Sequence, residues 1–391
     1  MKYVVAVAPR PHHRVVESRM GGELILFHLD TRRLHVLNGP AAAIWQELRG
    51  AATIGDLAAR VGDRFLVPAL DIRRDVEQTV EQLRADGLLA GDERNADGPS
   101  VTARRPRPSG PFRVDVPSTG SFAALDANIG IVCADAEIAA VIGGALDPLH
   151  VTAPATVVIE ISVVDDGAWS VRVGDGAPVA LGSPLAVALR VIGEVNNLAV
   201  ASVPDDLVLH AGAVADGGRA VLLPGGSNHG KSTLTTALVA DGFSYLTDEA
   251  AAIVDGLRVR PYPKSIALDP GSFPLFPALA PSEDLGGLAR AVVGREWHIA
   301  PTLVGAVSGP APIAAVICPQ WRAGASTRVL PLGPTEALHL LLGDAFDFSV
   351  GGQRVFERLV ELVRTVPVVK LSYGDTASAV AAVRGILDTD D

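Results

Sequence analysis

Residues 222–238 read LLPGGSNHGKSTLTTAL, and their spacing constrains this chain more than any other stretch. Gly225, Gly230, Lys231 and Ser232 fit G-x-x-x-x-G-K-[ST], the phosphate-loop pattern. The apolar run RAVLLPG ahead of it predicts a strand, and KSTLTTALVADG behind it predicts a helix that stops at Gly242. In that setting successive backbone N–H groups gather at a helix N-terminus and favour a phosphate. The expected nucleotide-binding residues are therefore Gly225, Gly226, Ser227, Asn228, His229, Gly230, Lys231, Ser232 and Thr233. Lys231 is expected to reach the β- and γ-phosphates, and Ser232 to place its hydroxyl on Mg²⁺. The pattern identifies a phosphate site without saying what happens to the phosphate.

The stretch FSYLTDEAAAI (243–253) follows directly, and its apolar residues lead to Asp248 and Glu249 at the end of a predicted strand. In open α/β sheets ligands gather at that edge. Metal-bound nucleotide chemistry needs a carboxylate, and transfer to a hydroxyl needs a base. Adjacent residues on a strand face opposite ways, so both acids serve one site only across a bulge or turn. His210, in LVLHAGAV, ends another apolar run ahead of the loop. By pattern alone a lone His after an apolar run is more often a satisfied core histidine than a catalytic one. Lys264 in PYPKSI reads equally as a surface lysine or as one that reaches the phosphates or substrate.

Composition narrows the class. The formal net charge of −11 disfavours broad nucleic-acid binding, which needs a basic face. The start of the chain, MKYVVAVAPRPHHR, lacks a signal-peptide core, and apolar runs fall short of a bilayer span. Cys133 and Cys318 stand far apart in apolar surroundings and read as buried thiols of a reducing compartment, so a cytoplasmic location is expected.

Periodicity and breaker residues divide the chain. In residues 1–90, ELILFHL and RLHVLN predict a hairpin, followed by three helices. The first has Pro40 in its opening turn, and the second a Thr53/Asp56 capping box. The third sets Ile72, Val76, Val80 and Leu83 on one face. Residues 91–112 are polar and rich in Pro and Gly, a predicted flexible linker. Residues 113–205 predict a small α/β domain, and 206–391 the domain that carries the loop.

Taken in order, LHAGAV, VLLPGGSNHGKSTLTTALVADGFSYLTDE and RPYPKSIAL resemble the HPr kinase/phosphorylase family and related peptide kinases. IAAVICPQW, LPLGPTEALHLLLG and VPVVKLSYGDTASAVAAV extend the likeness over about 206–391. The resemblance implies an α/β nucleotide-binding core shared with phosphoenolpyruvate carboxykinases, ATP with Mg²⁺ as cofactors, and frequent homo-oligomers. It implies catalytic roles for Asp248 as base, His210 beside it and Lys231, with Ser232, Asp248 and Glu249 near the metal. Glu249 stands where that family usually has a second Asp, and the further acidic signature of true HPr kinases is missing. The resemblance therefore does not extend to HPr as the substrate, and it leaves a reverse phosphorylase activity open.

The first 90 residues resemble the PqqD family, on GGELILFHLDTRRLHVLNGPAAAIWQELRGAATIGDLAARVG and the helix ending LRADGLL. That resemblance implies a winged-helix-like module that holds the leader of a ribosomally made precursor peptide by strand addition beside the third helix. A DNA-reading winged helix is disfavoured by Asp75, Glu77 and Glu81 among Arg73 and Arg74. The combined expectation is an ATP-dependent kinase of a Ser or Thr on a tethered precursor peptide, with no nucleic-acid or membrane partner. The alternatives are a kinase of another protein or small molecule, and a nucleotide-gated peptide-binding adaptor without transfer.

Overall fold

The computed structural model describes residues 7–90, 118–164, 168–226, 229–282, 284–346, 348 and 350–388. The predicted linker at 91–112 and the loop residues Ser227 and Asn228 lie outside the described residues. The fold is mixed α/β, and it separates into two compact units.

The N-terminal unit opens with a three-stranded antiparallel sheet, β1 (Val15–Met20), β2 (Glu23–His28) and β3 (Arg33–Leu37), in that spatial order. Three helices follow, α1 (Gly39–Glu47), α2 (Ile54–Phe65) and α3 (Ala69–Ala85). Asn38 caps α1 by accepting from the Ala41 N–H at 3.0 Å, with Pro40 in the first turn. Thr53 caps α2 through the Asp56 N–H at 3.1 Å, while the Asp56 carboxylate accepts from the Ala52 N–H at 2.9 Å. Leu24 and Leu26 share a core with Ile44, Trp45, Leu57, Val76, Val80 and Leu83. Strand β1, absent from the expectation, sits in HHRVVESRM, whose polar alternation hides a strand.

Among the described residues the second unit holds two large sheets and a short two-stranded one. One, of six strands, has the spatial order β6-β4-β5-β7-β8-β9. Its strands are β4 (Ser118–Ala124), β5 (Ala127–Cys133), β6 (His150–Val151), β7 (Val157–Val163), β8 (Trp169–Val173) and β9 (Val179–Leu181). It packs with α4 (Ala136–Leu146) and α5 (Pro184–Ser202). By length and composition α5 could cross a membrane, yet it buries Val187, Val191 and Val195 and carries an Arg190–Glu194 ion pair, as a core helix does. Residues 113–205 were expected as a separate domain. Their core instead runs on through Val208, Ala250, Ala252 and Tyr262, so this part is one compact unit with the loop-bearing part.

The larger sheet has eight strands. They are β10 (Leu207–Asp216), β11 (Arg219–Pro224), β12 (Ser244–Thr247), β13 (Ala250–Val254), β14 (Arg258–Arg260), β17 (Ala311–Trp321), β18 (Arg328–Pro331) and β19 (Val368–Tyr373). The short pair β15 (Ile266–Leu268) and β16 (Trp297–Ile299) stands apart. Helices α6 (Lys231–Ala240), α7 (Gly287–Val293) and α8 (Pro334–Asp344) join these strands. Strand β10 bends the sheet: Leu207–His210 pair with β13, while Ala211–Asp216 pair with β11. Strand β17 pairs in turn with β14, β11 and β19, so the path β11-β10-β13-β14-β17 closes on itself. Gly212 lets α6 lie close on β10, because a Cβ there would fall 2.4 Å from the Thr235 hydroxyl oxygen.

Residues 206–391 were expected as one continuous domain, and here the structure differs. Helix α9 (Gly352–Thr365) lies mostly in Phe348–Glu361, a segment that belongs to the N-terminal unit, whereas α10 (Thr376–Asp388) belongs to the second. Phe27 stacks on Phe356 with ring centroids 5.4 Å apart and meets Phe348 edge-on at 5.2 Å. The Gln353 side chain donates to the Glu17 carbonyl at 2.7 Å and accepts from the Glu17 N–H at 3.1 Å. Strand β2 is thus buried on both faces, Leu24 and Leu26 toward the helices and Phe27 toward Phe348–Glu361. Its unbroken apolar run ELILFHL is what such a strand requires.

Candidate functional site

In the second unit, β11 ends at Pro224 and α6 starts at Lys231, with Gly225, Gly226, His229 and Gly230 the described residues between strand and helix. Gly225 has φ +145° and Gly230 φ +83°, conformations that favour glycine. A Cβ at Gly230 would also meet the Tyr373 hydroxyl at 2.5 Å. His229, one of the expected nucleotide-binding residues, lies close against Gly225 and Gly226. The buried Lys231 ammonium donates to the carbonyls of Gly225 and Gly226. Burial lowers its pKa, opposed by the carboxylates of Asp344, Glu249 and Asp248. The Thr233 hydroxyl is hydrogen-bonded to that of Ser272 at 2.7 Å, and the Ser232 carbonyl accepts from Thr236.

Asp248 and Glu249 occupy a bend between β12 and β13, where the chain passes from one half of β10 to the other. That bend lets adjacent acids share one site. Asp248 is 3% exposed, accepting from the Tyr245 hydroxyl at 3.0 Å and from the Ala267 N–H at 2.9 Å. Burial raises its pKa, with Lys264 pulling the other way. The Tyr245 oxygen also lies 3.1 Å from the Lys264 carbonyl. One hydroxyl proton cannot fully serve both acceptors.

Glu249 behaves differently. Burial pushes its pKa up, but the hydrogen bond with His210 and the charge of Lys264 outweigh burial and hold it at about 2. Its carboxylate lies 3.4 Å from His210 Nδ1 on one oxygen and 3.4 Å from Lys264 Nζ on the other. His210 sits where β10 changes partners, and its Nδ1 is also 3.2 Å from the Glu249 carbonyl. Its ring packs edge-on against Phe346. The structure thus gathers His210, Lys231, Asp248 and Glu249 at one end of the sheet.

Two further residues join them. Lys264 is buried, not at the surface; desolvation lowers its pKa, but Asp248, Glu249 and Glu296 more than compensate and keep it charged. Asp344, the last residue of α8, interacts with Lys231, His210 and His229, while burial raises its pKa. Its one signal in the sequence is an acid closing the apolar helix ALHLLLGD. Among the described residues no group of three or more His, Cys, Asp and Glu could hold a metal ion by itself.

The N-terminal unit offers a second feature. A groove of about 300 Å³ runs between β3, α1 and α3, lined by Leu37, Ala41, Gln78, Thr79, Leu83 and Asp86 among others. Strand β3 is an edge of its sheet, whereas the β1 edge is met by Gln353.

Residues 23–89 match the family model of coenzyme PQQ synthesis protein D, PqqD. The chain therefore carries a PqqD domain near its N-terminus. Among solved structures it is similar to TbiB1 in complex with the TbiA(beta) leader peptide, at 22% identity. That likeness covers 21% of this chain and 95% of the other, with a TM-score of 0.20. No curated protein matches the chain.

Proposed function

We propose that this chain is an ATP-dependent, HPr kinase-like kinase of a ribosomally made precursor peptide, whose leader is held by the PqqD domain. The observation that carries the reading is one constellation. A loop with a buried lysine faces Asp248, Glu249 and Asp344 in a chain that also carries a PqqD domain. The residues fit a nucleotide phosphate: two glycines in left-handed conformations, an α-helix N-terminus, and the Lys231 ammonium held inside the loop. Residues 225–233 would hold ATP, and Ser232 with the carboxylates would hold Mg²⁺. Bound ATP supplies the phosphoryl group, and Mg²⁺ offsets its charge. The compartment that goes with this chemistry is the cytoplasm.

The two acids divide the work by environment. Asp248, with a pKa raised by burial, accepts the proton of the acceptor Ser or Thr hydroxyl. Glu249 stays ionised, orients His210 and Lys264, and offers a fixed negative charge to a cation. In the PqqD domain the leader adds a strand to the β3 edge and sets side chains in the groove beside α3. Tethering then raises the local concentration of the acceptor segment, so it needs little affinity of its own.

The test incubates the full-length chain with ATP, Mg²⁺ and the precursor peptide, followed by mass spectrometry for one added phosphoryl group. Transfer is expected on a Ser or Thr. Asp248→Asn should slow it by about 10²–10⁴-fold, and Thr79→Arg, which fills the groove, should raise KM with little effect on kcat. Absence of transfer by the wild type refutes the kinase reading. A second reading, a nucleotide-gated peptide-binding adaptor, is favoured by the two protein hydrogen bonds that Asp248 already accepts. Leader binding that changes with ATP and persists in Asp248→Asn, without transfer, supports it.

A further inference from the structure

We propose that Trp321 is the platform on which the purine base of a nucleotide stacks when its phosphates lie at Gly230 and the N-terminus of α6. The inference rests on the nucleotide reading above and adds to it the side chain that recognises the base.

Strands β11 and β17 run parallel, so both end at the same edge of the sheet. Leu222 pairs with Val316, which sets Pro224 level with Cys318. Strand β17 therefore continues through Pro319, Gln320 and Trp321 alongside the loop that β11 has just entered. The Trp321 N–H donates to the His229 carbonyl at 3.3 Å, fastening the strand end to the loop. On the far side Trp321 is the register partner of Tyr373 in the parallel strand β19, so the two side chains share a face. The Tyr373 hydroxyl donates to the Gly230 carbonyl at 3.3 Å, and a Cβ at Gly230 would lie 3.2 Å from Trp321 Cβ. Both aromatic side chains thus flank Gly230, but Tyr373 is buried and Trp321 is 49% exposed. A half-exposed indole at the lip of a polar loop is an unspent flat apolar surface.

The direction of the ligand follows from the order of the strands. Strand β11 lies between β10 and β17. His210 is on β10, and Asp248 and Glu249 follow β12, which also pairs with β10. The groups that handle a terminal phosphoryl therefore stand on the β10 side of the loop. A nucleoside triphosphate carries its base at the opposite end from that phosphoryl, so the base leaves toward β17, where Trp321 stands. Stacking on an aromatic is available to any base, and a purine offers the larger face.

The test measures binding of ATP and of inorganic tripolyphosphate to the full-length chain by calorimetry, for wild type, Trp321→Ala, Trp321→Leu and Trp321→Phe. The wild type is expected to bind ATP more tightly than tripolyphosphate. Trp321→Ala and Trp321→Leu should each lose about tenfold to a hundredfold in ATP affinity, the range that stacking on an aromatic supplies, and keep tripolyphosphate affinity within about twofold. Trp321→Phe should keep most of the ATP affinity. Unchanged ATP binding by Trp321→Ala overturns the proposal. Equal loss of both ligands also overturns it, because Trp321 would then shape the loop and not meet the base. Retention by Trp321→Leu assigns the side chain to packing and overturns stacking, and it settles the matter should the alanine variant fail to fold. Failure of the wild type to bind either ligand refutes the nucleotide site itself, and the platform with it.

Discussion

Replacing Lys264 with Met should expose how much the acids depend on one buried ammonium. Methionine keeps a long unbranched stem, so packing changes little while the charge is lost. The Lys264 side chain is 4% exposed, lies 3.4 Å from Glu249, and faces Asp248 and Glu296 as well. Holding Glu249 at about 2 against an ordinary 4.5 corresponds to about 3 kcal/mol at neutral pH, a share of which comes from Lys264. Removing one partner of a buried pair typically costs about 3–5 kcal/mol, and we expect a loss of that order near pH 7. A depressed carboxyl pKa contributes stability that is present above the unfolded value and lost as pH falls through the folded one. Without Lys264, the pKa of Glu249 moves up, and Asp248, already raised by burial, moves further up. The variant's deficit should therefore be largest near neutrality and narrow as the pH falls toward about 5, where the buried acids take up protons. Urea unfolding of both proteins at the two pH values measures it. A deficit that does not change with pH would assign the loss to packing, and an unchanged midpoint would refute the electrostatic role of Lys264.

Gly212→Ala should destabilise the chain by about 1–3 kcal/mol through overpacking, because the new Cβ would fall 2.4 Å from the Thr235 oxygen. That oxygen is buried without a hydrogen-bond partner among the described residues, so adding Thr235→Ala should restore most of the loss; a double variant as unstable as the single one refutes the contact. Phe27→Ala should cost about 3–5 kcal/mol in urea unfolding, since its ring packs between Phe348 and Phe356; a near-neutral effect would mean that Phe348–Glu361 does not hold the sheet. Burial pushes the Cys318 thiol up to about 12 and raises Cys133, so a thiol reagent at about pH 8 should label the native chain far more slowly than the unfolded one. Rapid labelling of both thiols in the native state would contradict that burial.

What the sequence makes legible here is whatever depends on neighbours along the chain. The loop between Gly225 and Ser232, the Thr53 cap and the hairpin strands are short-range patterns, and each has its physical cause within a few residues. Asp248 and Glu249 were readable as a pair, but their sharing of one site was not, because it depends on the bend that carries the chain along β10. Lys264 and Asp344 carry no periodic or motif signal, and only the packing of distant elements brings them to Lys231 and Glu249. The same reason hid the cover on the N-terminal sheet. ELILFHL is apolar at successive positions, which demands burial on both faces, yet the helices α1–α3 can cover just one. The second cover comes from Gln353 and its neighbours, 336 residues from Glu17. A continuous apolar strand in a small module with helices on one face is therefore an unmet demand that can be read in advance. It states that a further segment must pack there, and the covering segment need not be adjacent in sequence. Here that segment belongs to the same chain and occupies the β1 side, which leaves β3 as the edge of the sheet beside the groove.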